Sequence, residues 1–353
     1  MRAFRRDVRA LSPYTLEEPD LKVKVNQNEA PWDWPEEVKA RALSEAGRLP
    51  FHRYPPFRDR ILRDELAERL GVERDAILVG NGSNELLQAL FTACLGPRRT
   101  LLLPEPTFSL YRQMALLARG RAVAVPLTET FAYDGRALLR AVEREEPAVV
   151  LLCSPNNPTG SVAPPGLILD LCGACRGIVA VDEAYGEFAG EEGAVSLLRR
   201  GPRNLVVLRT FSKAWGSAAL RLGYLLASPE AAREIAKALL PYNVSPLTAS
   251  LGAAALREAP LFERRVRRLR RLRERLLREL EGLPGVEVFP SGGNFLLVRL
   301  GPRAREVYLR LKERGVLVRD VSAAPRLAGC LRFSVGSEAE NGALLRALRE
   351  VLA

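Results

Sequence analysis

A chain of 353 residues, 47% of them hydrophobic, carries enough apolar side chain for a large core and for more than one domain. No run approaches the roughly 18 consecutive apolar residues of a membrane span. A single histidine, His52, and five cysteines argue against a histidine-centred triad, against a metal site on the lone Cys172-x-x-Cys175 pair, and against a secreted disulfide framework.

The amino terminus, MRAFRRDVRALSPY, lacks an uninterrupted apolar signal region, so a cytoplasmic protein is expected. Residues 1–35, punctuated by prolines in APWDWP, are too few for a core and are expected to form an arm packed on a later unit or on a partner chain. Short apolar runs then alternate with helical patterns: AILVG, TLLLP, RAVAVPL, AVVLLCS, GIVAVDE, NLVVLRT and LGYLLAS are strand-like. Several are apolar at successive positions, as strands covered on both faces require. The expected fold class is α/β, with a large domain over 36–255 built on a mostly parallel sheet covered by helices on both faces.

The net charge of +11 raises nucleic acid or acidic small molecules as partners, and its distribution decides between them. In FERRVRRLRRLRERLLREL, residues Val266, Leu269, Leu272, Leu276 and Leu280 recur at spacings of three and four, the stripe of a helix lying on a core. Its arginines are then expected on the solvated face. Without interleaved aromatic residues or a reader motif, nucleic acid is not an expected partner. Strands at GVEVF and NFLLVRL, a helix near AREVYLRLKERG, strands at VLVRD and CLRFSVG and a last helix predict a smaller α+β domain over 256–353.

Four motifs lie at predicted strand ends, where open parallel sheets bind ligands. Lys213 follows NLVVLRT and is one of six lysines among 53 basic residues. Arginine stays charged, whereas a lysine can be driven neutral and attack a carbonyl, although a surface lysine can also follow a strand. VGNGSNELLQAL runs strand, glycine turn, helix, so the N–H groups of Gly82, Ser83 and Asn84 point at an anion or simply cap the helix. LLCSPNNPTG presents Asn156 and Asn157 on a proline-fixed turn. GIVAVDEAYGEF brings Asp182 and Tyr185 to another strand end, where a carboxylate requires a cation. A phosphate ester for the glycine turn and Arg221, a ring cation for Asp182 and an aldehyde for Lys213 are together met by pyridoxal 5'-phosphate.

In chain order, SPNNPTG, DEAY, TFSKAWGSAALRLGY and CLRFSVG resemble the class I/II aminotransferases of fold type I, over nearly the whole length. SPYTLE, VNQNEAPW, HRYPPF, GNGSNE, VLVRD and GCLRFSVGS resemble, within that superfamily, the histidinol-phosphate aminotransferase family. The resemblance implies phosphate contacts at Ser83, Asn84, Ser212 and Arg221, with Tyr54 reaching in from the other subunit of a homodimer. It implies ring stacking on Phe108, where many relatives have tyrosine, hydrogen bonds from Asn157 and Tyr185 to the phenolic oxygen, and Asp182 against the pyridine nitrogen. Lys213 would hold the cofactor covalently and then move a proton between substrate and cofactor carbons.

Substrate contacts implied by the resemblance fall on Tyr14, Asn28, Arg319 and Arg332, with Arg332 serving both a phosphate and the carboxylate of glutamate. For Arg319 the alternative is a surface ion pair with Asp320. The implied reaction takes histidinol phosphate and 2-oxoglutarate to imidazole acetol phosphate and glutamate, in histidine biosynthesis. Alternatives are an aromatic or broad-specificity aminotransferase and a pyridoxal-phosphate-dependent decarboxylase of a phosphorylated amino acid. A ligand-sensing regulator would need an appended DNA-binding domain, for which no length is expected to be spare.

Overall fold

The computed structural model describes residues 3–13, 15, 19–56, 60–190, 193–199 and 201–353. Thirteen strands occur among them: β1 (Val23–Lys24), β2 (Ile77–Gly80), β3 (Thr100–Glu105), β4 (Arg121–Pro126), β5 (Val149–Cys153), β6 (Ile178–Asp182), β7 (Leu205–Thr210), β8 (Gly223–Leu226), β9 (Glu287–Phe289), β10 (Phe295–Arg299), β11 (Val316–Leu317), β12 (Arg319–Asp320) and β13 (Cys330–Ser334).

The seven apolar runs of the first two thirds form one sheet in the order β2-β8-β7-β6-β5-β3-β4. Its pairs are parallel from β4 to β7, and β8 runs antiparallel to both of its neighbours. Side chains alternate between two cores, as the strand period of two demands. Val150, Leu152, Val179, Val181 and Val207 meet helices that include Glu36–Ala46, Ile61–Leu70 and Pro246–Arg257. Leu151, Ala180, Val206 and Leu208 meet Ser83–Cys94, Leu110–Leu117 and Pro229–Ala236 on the other face. Because β8 reverses direction, β2 ends at the same sheet edge as β5, β6 and β7. Gly80, Gly223 and Thr210 stand side by side there.

The second sheet, β12-β13-β10-β9, is antiparallel and packs against the helices Ala259–Glu281, Ala304–Glu313 and Glu338–Leu352. The last of these opens on a capping box formed by Ser337 and Glu340. The amino-terminal arm joins this unit, because β1 pairs with β11 in parallel and Ser334 N–H donates to the Val25 carbonyl at 2.9 Å. Trp34 continues the contact edge-on to Phe262 at 5.6 Å and donates to the Trp215 carbonyl at 3.1 Å.

In Ala259–Glu281 the residues Val266, Leu269, Leu272, Leu276 and Leu280 are all buried. One arginine departs from the expected solvated face. Arg273 is buried and donates to the carbonyls of Phe188 at 3.3 Å and Gly293 at 2.9 Å. A guanidinium has five donors on an apolar stem, so loop carbonyls can satisfy it inside a core. The five cysteines are free. No described helix is long and apolar enough to cross a membrane.

Candidate active site

The carboxyl ends of β2, β3, β5, β6 and β7 open into a cavity of about 910 Å³, closed on the far side by β12 and β13. Ser83, Asn84, Phe108, Asn157, Asp182, Tyr185, Ser212, Lys213, Arg221, Arg319 and Arg332 all line it. Residues scattered over 250 positions of sequence thus converge, because the strands of the large sheet end together and the small antiparallel sheet faces those ends with Arg319 and Arg332.

At one end stands the glycine turn. Gly82 has φ +79°, and a Cβ there would lie 2.7 Å from Arg221 Nη2. Only glycine leaves the guanidinium its place. Arg221 donates from Nη1 to Ser212 Oγ at 3.2 Å and to the Ala218 carbonyl at 3.1 Å. The first turn of Ser83–Cys94 adds backbone N–H groups without partners inside the helix.

Asp182 ends β6 and is 4% exposed. Its Oδ2 accepts from the Tyr111 hydroxyl at 2.7 Å and its Oδ1 from Ala184 N–H at 3.0 Å. Burial pushes this carboxyl up to about 6, against the hydrogen bonds from Tyr111 and Ala184, and among the described residues no cation pairs with it. Tyr111 was not anticipated. It lies on the helix Leu110–Leu117, and its ring meets that of Phe108, just ahead of that helix, edge-on at 5.4 Å.

Lys213 Nζ donates to the Gln27 carbonyl at 2.7 Å and lies 6.0 Å from the centre of the Tyr185 ring. Burial, followed by the charge of Arg332, brings this amine down to about 8; Glu29 opposes and Arg221 adds to the depression. The lysine that looked reactive by its rarity is therefore in a neutralising environment.

Tyr185 presents its hydroxyl to Asn28 Nδ2 at 3.1 Å and to Asn157 Nδ2 at 3.3 Å, and burial raises it to about 12. Asn157 Oδ1 accepts from Arg332 Nη1 at 2.6 Å, while Arg332 Nη2 donates to the Asn26 carbonyl at 2.6 Å. Asn28, at φ 54°, is fixed by Ser334, whose hydroxyl donates to Asn28 Oδ1 at 2.8 Å, and by Asn294, which donates to its carbonyl at 3.0 Å. The arm residues Asn26, Gln27 and Glu29 close one wall, whereas Asn28, expected as a substrate contact, does not line the cavity and is fully buried behind Tyr185. The roles of the Asn26 and Gln27 carbonyls had no sequence signal, since any residue supplies a carbonyl.

Asn156 behaves differently from Asn157. It bonds Pro106, Thr159 and Thr107 and holds the turn itself together. Asp320, the alternative partner weighed for Arg319, is bonded by Ser322 at 2.9 and 2.5 Å and by Arg305 at 3.4 Å. Tyr54 is not brought into this cavity. It is 83% exposed and stacks on Tyr242 at 4.7 Å, beside a separate apolar cavity. Tyr14 lies outside the described residues.

Residues 20–348 match the family model for aminotransferases of class I and II. The chain belongs to that aminotransferase family. This aminotransferase is 40% identical over 358 residues to a histidinol-phosphate aminotransferase of Chlorobaculum parvum, covering 98% of this chain and 99% of that protein. It is 41% identical over 333 residues to the histidinol-phosphate aminotransferase of Chlorobium limicola, covering 93% and 92%. Among solved structures, the histidinol-phosphate aminotransferase of Sinorhizobium meliloti in complex with pyridoxal-5'-phosphate superposes with a TM-score of 0.89 at 26% identity, covering 100% of this chain and 98% of that one. The fold of this aminotransferase is accordingly fold type I.

Proposed function

We infer that this aminotransferase uses pyridoxal 5'-phosphate to transfer the amino group of histidinol phosphate to 2-oxoglutarate, giving imidazole acetol phosphate and glutamate in histidine biosynthesis. The observation that carries the reading is one cavity holding a buried carboxyl without a cation, a lysine lowered to about 8, and two arginines on its far wall. Relatives of 40 and 41% identity bearing the histidinol-phosphate aminotransferase name support this substrate over the aromatic aminotransferase and decarboxylase alternatives.

The residues fit the cofactor. Asp182 is buried at a strand end with a raised affinity for protons, and a protonated ring nitrogen is the cation it lacks. Gly82 leaves its turn clear for Arg221, and Ser212, Ser83 and Asn84 offer hydroxyl, amide and N–H groups to a phosphate. Pyridoxal phosphate, when bound, supplies an aldehyde for amine capture and a conjugated ring that accepts the electrons released at the substrate carbon.

The protein groups do the rest. Asp182 would hold a ring proton in place, Tyr185 and Asn157 would hydrogen-bond the phenolic oxygen, and Phe108 would offer a flat apolar face. Lys213 Nζ, neutral above about pH 8, would hold the cofactor by its aldehyde and, when free, would take and return the proton at the substrate's reacting carbon. Arg319 and Arg332 orient the substrate by its anionic end, and Asn28 steadies Tyr185.

Exposed Phe51, Tyr54, Leu240 and Tyr242 around the second cavity support assembly as a homodimer in which Tyr54 reaches the partner's cofactor phosphate. A cytoplasmic location and the division into an arm (1–35), a large domain (36–255) and a small domain (256–353) belong to the same reading.

The substrate assignment is tested by half-reactions of two variants. Arg319→Ala is expected to slow the reaction with histidinol phosphate more than that with glutamate, and Arg332→Ala to slow both. Loss of one charge-assisted fork costs about 2 kcal/mol, roughly thirtyfold. Wild-type reactivity of Arg319→Ala with histidinol phosphate, together with strong activity on phenylalanine, would point to the aromatic alternative instead.

A further inference from the structure

Next to the residues that line the cavity lies a second set of charges with no part in the chemistry above. Glu183 follows Asp182 directly and, being its neighbour on an extended segment, points the other way. It is 3% exposed, and its Oε2 accepts both Nε and Nη2 of Arg209, at 3.0 and 2.9 Å. Arg209 is 8% exposed and sits on β7, four residues before Lys213. The other carboxylate oxygen accepts Ala194 N–H at 2.6 Å. Gly193 makes that approach possible, since a Cβ there would fall 2.2 Å from Glu183 Oε1.

A third acid completes the cluster. Glu187 Oε1 accepts from the Trp215 indole N–H at 3.3 Å, two residues beyond Lys213, while its Oε2 is shut from solvent without a hydrogen-bond partner among the described residues. Burial pushes Glu187 up, against the pull of Arg209. The Tyr224 ring, opposite Arg209 on β8, packs alongside. A buried pair of this kind adds little net stability over well-packed apolar residues, so its presence at this point calls for another role.

We propose that the Glu183–Arg209 pair is a positioning device: it locks the strand end carrying Asp182 and Tyr185 to the strand end carrying Lys213, so that ring cation, phenolic oxygen and amine keep one mutual geometry. The backbone supports the same coupling, because Glu183 N–H donates to the Leu208 carbonyl at 2.8 Å and Asp182 stands in register with Leu208. The Glu183 charge also acts on Asp182 itself, raising its proton affinity, and Arg209 offsets that charge. The inference rests on the roles assigned above to Asp182 and Lys213.

The test uses holoprotein of the wild type and of the charge-free double variant Glu183→Leu/Arg209→Met. Three quantities are read: the thermal midpoint, the pH midpoint of the visible absorbance of the bound cofactor, and kcat and KM for histidinol phosphate. The positioning role predicts a double variant that folds with a thermal midpoint near that of the wild type, an absorbance midpoint moved by about half a pH unit or more, and kcat lowered by about tenfold or more with KM little changed. Arg209→Lys should recover part of the kcat, because it keeps the charge while losing the fork. Should the double variant fail to fold, Glu183→Gln decides by the same absorbance and kcat criteria. A wild-type absorbance midpoint and kcat within twofold in the deciding variant would overturn the proposal, whatever the thermal midpoint. An inactive wild type whose variants still shift the absorbance midpoint would refute the substrate reading and leave the positioning role standing.

Discussion

Lys213 is half neutral at about pH 8, a state arginine never reaches in a protein. Capture of pyridoxal phosphate by the cofactor-free protein should therefore accelerate about tenfold per pH unit between pH 6 and 7 and level off above about 8. Stopped-flow absorbance reads this rate, and a pH-independent rate would deny the lowered amine. Asp182 makes the opposite kind of prediction. Its folded-state affinity for protons is raised, to about 6 from an ordinary 3.8, so its contribution to stability is complete below pH 3.8 and is lost as pH rises through 6. A ring cation reverses the loss, so pyridoxine phosphate, which lacks the aldehyde, should raise the thermal midpoint more at pH 7 than at pH 5. Asp182→Asn should abolish that pH dependence and slow proton abstraction by orders of magnitude. Both residues were legible in sequence, one by its rarity among arginines and the other as a carboxylate ending an apolar run. Tyr111 was not, because a phenol declares itself only through the carboxylate it meets in space.

Among elements, the strands were the most legible. Runs such as AVVLLCS and NLVVLRT can be satisfied only between two covered faces, and both became fully buried strands. The apolar stripe of Ala259–Glu281 was equally plain, although Arg273 escaped it, since burial of a guanidinium depends on carbonyls supplied by distant loops. The pairing of β1 with β11 left no period to read, being two residues long. The glycine turn after β2 was expected from its strand–turn–helix order either to face an anion or to cap the helix, and the structure adds that a Cβ at Gly82 would meet the Arg221 guanidinium. Gly82→Ala should displace Arg221 from Ser212 and strain a left-handed backbone, at a cost of about 1 kcal/mol or more. Equilibrium dialysis should show cofactor affinity weakened by about tenfold, and unchanged affinity would remove the turn from the phosphate site.

At the scale of the whole molecule, the cavity belongs to no single unit: the large sheet supplies Asp182 and Lys213, the small sheet Arg319 and Arg332, and the arm Asn26, Gln27 and Glu29. That convergence was legible only through the order of motifs along the chain, since composition and periodicity do not tell how two sheets face each other. Tyr54 extends the argument to a partner. It is exposed and lies outside its own chain's cavity, so Tyr54→Ala and Lys213→Ala subunits, each nearly inactive alone, should recover activity when mixed and reassembled, through the hybrid site with both side chains intact. No recovery from reassembled dimers would place Tyr54 outside the site. The most direct measurement of the account as a whole is the absorbance spectrum of holoprotein mixed with histidinol phosphate alone and then with 2-oxoglutarate. The visible band should vanish on the first addition and return on the second, with one glutamate formed for each histidinol phosphate consumed. A band untouched by histidinol phosphate but bleached by phenylalanine, or carbon dioxide released from threonine phosphate, would contradict it.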